Sequence, residues 1–149
     1  MLNKYKFKFD YRALIFFAIM MAPTIFWSFV KAPNDILRAE SVIPVIDTIA
    51  TISQVIMIAA LCMLRNEKVD DPKLTPLMVA SLRCLIGYYF GWVLYYCGVA
   101  NPAIIIVLSL IPCISFLLYS IDRKNIVAII STIVFLICHL IFAVVNFII

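Results

Sequence analysis

Charged residues and glycine are both scarce in this chain of 149 residues. Only 13% of the residues are Asp, Glu, Lys or Arg, three are glycine and one is histidine. Soluble domains carry about 25% charged residues, so the polar surface that a water-facing domain needs is missing. So little charge excludes a disordered chain, and so few glycines exclude a collagen-like fibre.

Apolar side chains are present in excess, at 66% of the sequence. A helix needs about 20 apolar residues to cross a bilayer, and five stretches meet this requirement: 13–30, 42–64, 77–96, 102–121 and 126–149. The stretches are continuous rather than alternating, which predicts helices and not a barrel. We therefore expect an all-α integral membrane protein, a five-helix transmembrane bundle that forms a single domain over 1–149.

Lys and Arg lie mostly on one side of the predicted bundle. Nine fall within 1–12, 65–76 and 122–125, whereas Lys31 and Arg38 are the two on the other side. By the positive-inside rule this predicts a cytoplasmic N-terminus and an extracytoplasmic C-terminus, with the bacterial cytoplasmic membrane as the expected location. The net charge of +4 then reflects topology, so no nucleic-acid partner is expected. The basic N-terminal arm, with its interleaved aromatic residues, is suited to lie on anionic lipid.

The five cysteines form no CxxC motif, and four of them fall inside predicted spans. Cys97 alone lies at the outer edge of the membrane. This spacing predicts small packing residues rather than disulfides or a thiol oxidoreductase.

Two prolines lie inside predicted spans, at Pro23 and Pro112. Each removes a backbone hydrogen bond and tends to kink its helix. Residues 23–27 weakly resemble 112–116, and the two spans run in opposite directions, as in the inverted repeats of transporters. The two prolines fit either kinks that line a cavity or kinks that packing merely tolerates. The similarity between 23–27 and 112–116 fits either an inverted repeat or chance.

The connection between the first two spans contains a Pro-Asn-Asp sequence at 33–35. It predicts a short surface helix over 36–40, with Asn34 as its N-cap and Asp35 in its first turn. The Asn101–Pro102 pair similarly predicts the start of the fourth helix.

Three ionisable residues lie inside the spans, and their position there needs a physical reason because burying charge in a membrane is costly. Asp47 heads a polar stripe on the second helix with Thr51 and Gln54. His139 shares a face of the fifth helix with Thr132 and Asn146 and with two alanines, so this face is expected to point into the bundle. A contact between His139 and Asp47 or Gln54 fits this placement, either as a structural hydrogen bond or as part of a site.

Arg83 is the third ionisable residue, near the cytoplasmic end of the third helix. Snorkelling to the headgroups and an anion or lipid-headgroup site both fit it, with Asp70, Asp71 or Asp122 as alternative partners.

The third helix carries a small-residue face over 80–91, formed by Ala80, Cys84, Gly87 and Gly91. Such a face allows close helix packing, within the bundle or against a second copy or a partner membrane protein. The same helix is rich in aromatic residues. Tyr95 and Tyr96 fit an outer aromatic belt, whereas Tyr88 and Tyr89 lie deeper, where each hydroxyl needs a partner.

Three functions remain open. The first is binding or transport of a small molecule in an outward-facing cavity, with these expected lining residues: Asp47, Thr51, Gln54, Tyr88, Trp92, Tyr95, His139 and Asn146. The second is a non-catalytic accessory or assembly subunit of a larger membrane complex. The third is a membrane-embedded enzyme that uses His139 as a base. We favour a protein without catalysis, metal or cofactor, because no ligand set, nucleophile motif or phosphate loop accompanies the histidine.

Overall fold

The computed structural model describes residues 5–67, 69 and 74–148, and within these ranges the chain forms five long helices joined by short connections. The helices are α1 (Tyr11–Phe29), α2 (Pro44–Met63), α3 (Pro76–Tyr96), α4 (Pro102–Asp122) and α5 (Ile126–Phe147). Each is long and apolar enough to cross a membrane, so the prediction of an all-helical, five-span bundle is confirmed. The boundaries differ from the predicted ones by at most two residues.

Polar side chains and prolines define the starts of the helices. Asp10, Thr75, Asn101 and Asn125 each accept a hydrogen bond from a backbone N–H in the first turn of the helix that follows. Proline opens α2, α3 and α4, where its missing N–H costs nothing. The predicted Asn101–Pro102 start of α4 is confirmed.

Helix α4 lies at the centre of the bundle, between α3 and α5, and α2 packs along the other side of α5. Over its apolar stretch 56% of α4 is buried, against 17% of α1. Helix α1 makes fewer contacts, with α2 and α3. The small and polar stripe of α5 faces inward as predicted, since Ala128, Thr132 and Ala143 are all buried.

The interface between α3 and α4 depends on small residues. Ser81 Oγ donates to the Ser115 carbonyl at 2.9 Å, and Ser115 Oγ donates to the Ser81 carbonyl at 2.8 Å. A β-carbon added at Gly91 would lie 3.1 Å from Leu108 Cδ2. Gly91 of the 80–91 face therefore packs within the bundle. Contact of this face with a second copy or with a partner membrane protein stays a prediction.

A short antiparallel ladder closes one end of the bundle, which we call the hairpin end. Strand β1 (Tyr5–Phe7) pairs with β2 (Leu64–Asn66), so that Tyr5 lies opposite Asn66. Tyr5 Oη and Asn66 Nδ2 both donate to the Lys124 carbonyl, at 3.2 and 3.0 Å. The basic arm is thus fastened to the connection between α4 and α5.

The opposite end, which we call the loop end, carries the connection between α1 and α2. The predicted short helix over 36–40 is wrong: only a single 3-10 turn forms, at Ile36–Arg38. Asn34 makes no N-cap and instead donates from Nδ2 to the Gly98 carbonyl at 3.0 Å. Asp35 occupies the N-cap position without a capping bond, because its carboxylate is bound elsewhere.

Candidate functional site

A central cavity of about 190 Å³ lies within the bundle, and all five helices contribute to its wall. Helix α2 contributes Asp47, Ala50, Thr51 and Gln54, and α5 contributes Phe135 and His139. Asp47, in the first turn of α2, and Thr51, one turn further along, are both exposed, so the cavity opens along the loop-end half of α2. The remaining wall comes from α1, α3 and α4 and is mostly apolar or aromatic.

Five of the eight side chains expected at a ligand site line this one cavity: Asp47, Thr51, Gln54, Tyr88 and His139. On α2 the spacing of four and then three residues brings Asp47, Thr51 and Gln54 to one face. Their shared location is a property of the fold, whereas their role in binding a ligand stays a prediction.

His139 lines the cavity from α5 but makes no hydrogen bond to Asp47. Its ring stacks on Phe135 with centroids 5.0 Å apart and lies 6.3 Å from the ring of Phe142. Within the described part of the chain, no hydrogen bond joins His139 to Asp47 or Gln54. Gln54 Nε2 approaches Met21 Sδ at 3.8 Å instead. The imidazole and the carboxylate therefore share a cavity rather than a bond.

Tyr88 meets its hydrogen-bond requirement through a residue that the sequence did not single out. Its hydroxyl lies 2.8 Å from Thr24 Oγ1, across the boundary between α1 and α3. Thr24 also lines the cavity. Its signal in the sequence was weak, since one hydroxyl beside a proline in an apolar span is common.

The two internal prolines have different surroundings. Pro23 has no N–H for the Ile19 carbonyl four residues earlier, and Tyr89 Oη donates to that carbonyl at 2.7 Å. Pro112 similarly leaves the Leu108 carbonyl without its helical N–H, and both residues line the central cavity. Pro112 of α4 therefore borders the cavity, whereas the carbonyl that Pro23 leaves free in α1 is bonded from α3.

Trp92, Tyr95 and Asn146 lie away from the central cavity. Trp92 borders an apolar groove between α1 and α3, together with Pro23 and Tyr96. Asn146 Oδ1 accepts from the Val42 N–H at 2.7 Å, which fastens the end of α5 to the chain entering α2.

Tyr95 belongs to a cluster at the loop end that we call the loop clamp, formed by Trp27, Asp35, Arg38 and Tyr95. The Asp35 carboxylate accepts from Trp27 Nε1 at 2.8 Å, from Tyr95 Oη at 3.0 Å and from Arg38 Nε at 2.7 Å. The Arg38 guanidinium also lies 4.8 Å from the centre of the Trp27 ring. The clamp joins the connection between α1 and α2 to the ends of α1 and α3.

The side chain of Asp35 is fully buried within this clamp. Burial alone would raise the pKa of Asp35, but the hydrogen bonds from Trp27, Arg38 and Tyr95 and from the Ala32 N–H lower it below its ordinary value. Sequence reasoning missed the clamp because Tyr95 lies 60 residues from Asp35 along the chain.

Arg83 is exposed on α3 and makes no ion pair with any described residue. Asp122 is not its partner, because Thr75 Oγ1 hydrogen-bonds to that carboxylate and Arg123 Nε lies 3.7 Å from it. The other two expected partners, Asp70 and Asp71, lie outside the described residues. An anion or lipid-headgroup role for Arg83 stays a prediction.

The wall of the central cavity carries several kinds of polar group. It offers one carboxylate, one imidazole, two threonine hydroxyls, an amide and a phenol. Among residues 5–67, 69 and 74–148, no three His, Cys, Asp or Glu side chains are grouped closely enough to hold a metal ion.

Comparison with known proteins adds no relative: no family model, no curated protein and no solved structure matches the chain.

Proposed function

We propose that this polytopic membrane protein binds a small polar molecule in its central cavity, as one step of transport or sensing across the membrane. The observation that carries the proposal is the convergence of polar side chains from α1, α2, α3 and α5 on a single cavity inside an otherwise apolar bundle. Polar groups inside a membrane are expensive and are usually retained for function. Pro112 borders the same cavity, and its missing helical hydrogen bond gives α4 a point at which to bend.

The proposal includes the orientation of the chain in a bacterial cytoplasmic membrane. The excess of Lys and Arg in 1–12, 65–76 and 122–125 supports a cytoplasmic hairpin end. The loop end then faces outward, and with it the opening beside Asp47. A molecule would enter the cavity from outside the cell.

The test is a thermal unfolding screen of the purified protein in a neutral detergent, against small polar molecules of different charge. A ligand present at 100 times its Kd adds about 2.7 kcal/mol of stability. Thr51 and Thr48 provide a matched pair of variants, since each hydroxyl donates to the carbonyl four residues earlier but only Thr51 lines the cavity. A compound bound in the cavity stabilises wild type and Thr48→Val, and stabilises Thr51→Val less.

Two outcomes would count against the proposal. One is a screen in which no compound raises the unfolding temperature. The other is a stabilising compound whose effect is the same in Thr51→Val as in Thr48→Val, because that compound would be bound outside the central cavity.

A further inference from the structure

The charge of the central cavity is unbalanced. Asp47 is the acidic residue in its wall, His139 contributes an imidazole, and no Lys or Arg is found among the described residues that line it. Asp47 also makes no ion pair with any other described residue. A carboxylate at the opening of a cavity with apolar walls attracts a cation, because low-dielectric walls focus its field toward the opening.

Asp47 occupies the start of its helix. It lies in the first turn of α2, where the unpaired backbone N–H groups and the positive end of the helix dipole suit an acidic side chain. The acidic side chain thus stands at the opening of the cavity.

Aromatic rings form much of the remaining wall. Tyr88, Phe116 and Phe135 contribute rings from three different helices. The faces of such rings attract ammonium groups, and quaternary ammonium ligands are commonly held this way. The two methionines from α1 add polarisable sulfur atoms, which suit an alkyl group.

The wall also holds a hydrogen-bond acceptor further along α2 than the carboxylate. Gln54 follows Asp47 by seven residues and offers an amide oxygen, which accepts a hydrogen bond from a ligand N–H group. The volume of about 190 Å³ equals that of about six water molecules, at about 30 Å³ each.

From this combination we infer that the ligand of the central cavity is a small organic monocation, an alkylammonium with its charge beside Asp47 and its alkyl part against Phe116, Phe135 and Tyr88. This inference rests on the proposed function, because it names the class of molecule that the same cavity binds. It excludes carboxylates and neutral alcohols of equal size as preferred ligands.

The experiment compares matched probes by thermal unfolding and titration calorimetry in neutral detergent, at one sodium chloride concentration. The cationic probes are methylammonium, propylammonium and tetramethylammonium; 1-propanol and propionate are the neutral and anionic probes. We expect at least one cation to bind at least tenfold more tightly than 1-propanol or propionate. Asp47→Asn should weaken that binding at least tenfold, whereas Glu40→Gln, which removes an exposed acid in the neighbouring connection, should leave it unchanged.

A second variant keeps the test decisive if Asp47→Asn does not fold. Phe135→Leu removes an aromatic face from the cavity but keeps it apolar, and should weaken cation binding three- to tenfold. The inference is overturned if binding of the cation survives Asp47→Asn unchanged or, where that variant does not fold, if it survives Phe135→Leu unchanged.

The two proposals fail in different ways. If 1-propanol or propionate binds as tightly as the cations, and Thr51→Val weakens that binding, then the cavity is a ligand site and the inference of a cation is wrong. If none of the probes and no compound of the wider screen binds, the proposed function fails together with the inference.

Discussion

A proline inside a membrane helix leaves a carbonyl that must find another donor, because lipid offers none. In α1 the donor comes from a neighbouring helix, where Tyr89 Oη bonds to the Ile19 carbonyl at 2.7 Å. We expect Tyr89→Phe to lower the free energy of unfolding by about 0.6 kcal/mol, the average for interhelical hydrogen bonds in membranes, and by no more than about 1.7 kcal/mol. Unfolding in mixed micelles with increasing denaturing detergent measures this change.

The proline provides the control for this prediction. Pro23→Ala returns a backbone N–H to the Ile19 carbonyl, so Tyr89→Phe should cost less in that background than in wild type. Tyr96→Phe removes a similar bond, from Tyr96 Oη to the Val30 carbonyl, which does not depend on the proline. If Pro23→Ala reduces the loss of unfolding free energy equally for Tyr89→Phe and Tyr96→Phe, then Tyr89 does not replace the missing helical hydrogen bond.

The buried carboxylate of the loop clamp predicts a dependence of stability on pH. The pKa of Asp35 in the folded protein lies below its ordinary value of 3.8. Its contribution to stability is therefore fully present above the pKa of the unfolded chain and is lost as the pH falls through the lower, folded pKa. We expect wild type to lose stability on acidification from pH 5 to about pH 2–3, measured by unfolding at fixed ionic strength.

Variants of the clamp separate Asp35 from the other acids. Asp35→Asn should be less stable at neutral pH and should lose less stability on acidification than wild type. Trp27→Phe removes one of the donors to Asp35 and should fall between the two. Identical pH profiles for wild type and Asp35→Asn would show that the clamp does not hold the carboxylate charged.

At the scale of secondary structure, Asn125 both starts a helix and joins two helices. Its Oδ1 accepts from the Ala128 N–H at 3.1 Å, and its Nδ2 donates to the Ala60 and Leu64 carbonyls at 2.8 and 2.9 Å. Because the residue is 1% exposed, no water can replace these bonds. Asn125→Asp keeps the cap, loses both donors and places negative charge against two carbonyls, so we expect a loss of more than about 2 kcal/mol.

The N-cap of α4 is the matched control. Asn101 is exposed and accepts from the Ile104 N–H at 3.0 Å. Asn101→Asp should change stability by less than about 0.5 kcal/mol, because aspartate caps as well as asparagine. The same unfolding assay compares the two variants, and equal losses would mean that Asn125 acts as a cap alone.

Long apolar runs predicted the helices well because a span must satisfy its own backbone within the segment. Asn101–Pro102 marked the start of α4 for the same local reason. The ladder between Tyr5–Phe7 and Leu64–Asn66 was not predictable, since strands of three residues show no period and their pairing joins distant parts of the chain. The 3-10 turn was missed because Asp35 binds Tyr95 rather than its own turn.

In the bundle as a whole, site residues on one helix were predictable from helical spacing, whereas contacts between helices depend on packing that the sequence does not show directly. Asp47, Thr51 and Gln54 came together because helical spacing alone fixes their shared face. Their meeting with His139 required α2 and α5 to pack at the right depth, and the polar faces of the two helices indicated this meeting. Trp92 lies on an aromatic helix that meets α1 as well as α4, and no property of α3 alone tells which ring faces the groove.

An odd number of spans places the two ends of the chain on opposite faces of the membrane, and the native cysteines allow this to be tested. Cys97 is exposed at the loop end, just after α3, whereas Cys62, Cys113 and Cys138 are buried. If the hairpin end is cytoplasmic, a membrane-impermeant maleimide should label wild type in intact cells, and Cys97→Ser should reduce labelling to background.

The opposite end needs an introduced probe. Lys124 is exposed in the connection between α4 and α5, at the hairpin end. In the Cys97→Ser background, Lys124→Cys should stay unlabelled in intact cells and react in inside-out vesicles, because the impermeant reagent reaches the cytoplasmic face only there. Suppose instead that Lys124→Cys is labelled in intact cells and Cys97 of the wild type is not. The orientation is then the reverse of the proposed one, and the opening beside Asp47 faces the cytoplasm. Labelling of both positions in intact cells would contradict the membrane topology itself, because a single crossing, α4, lies between Cys97 and Lys124 and places them on opposite faces.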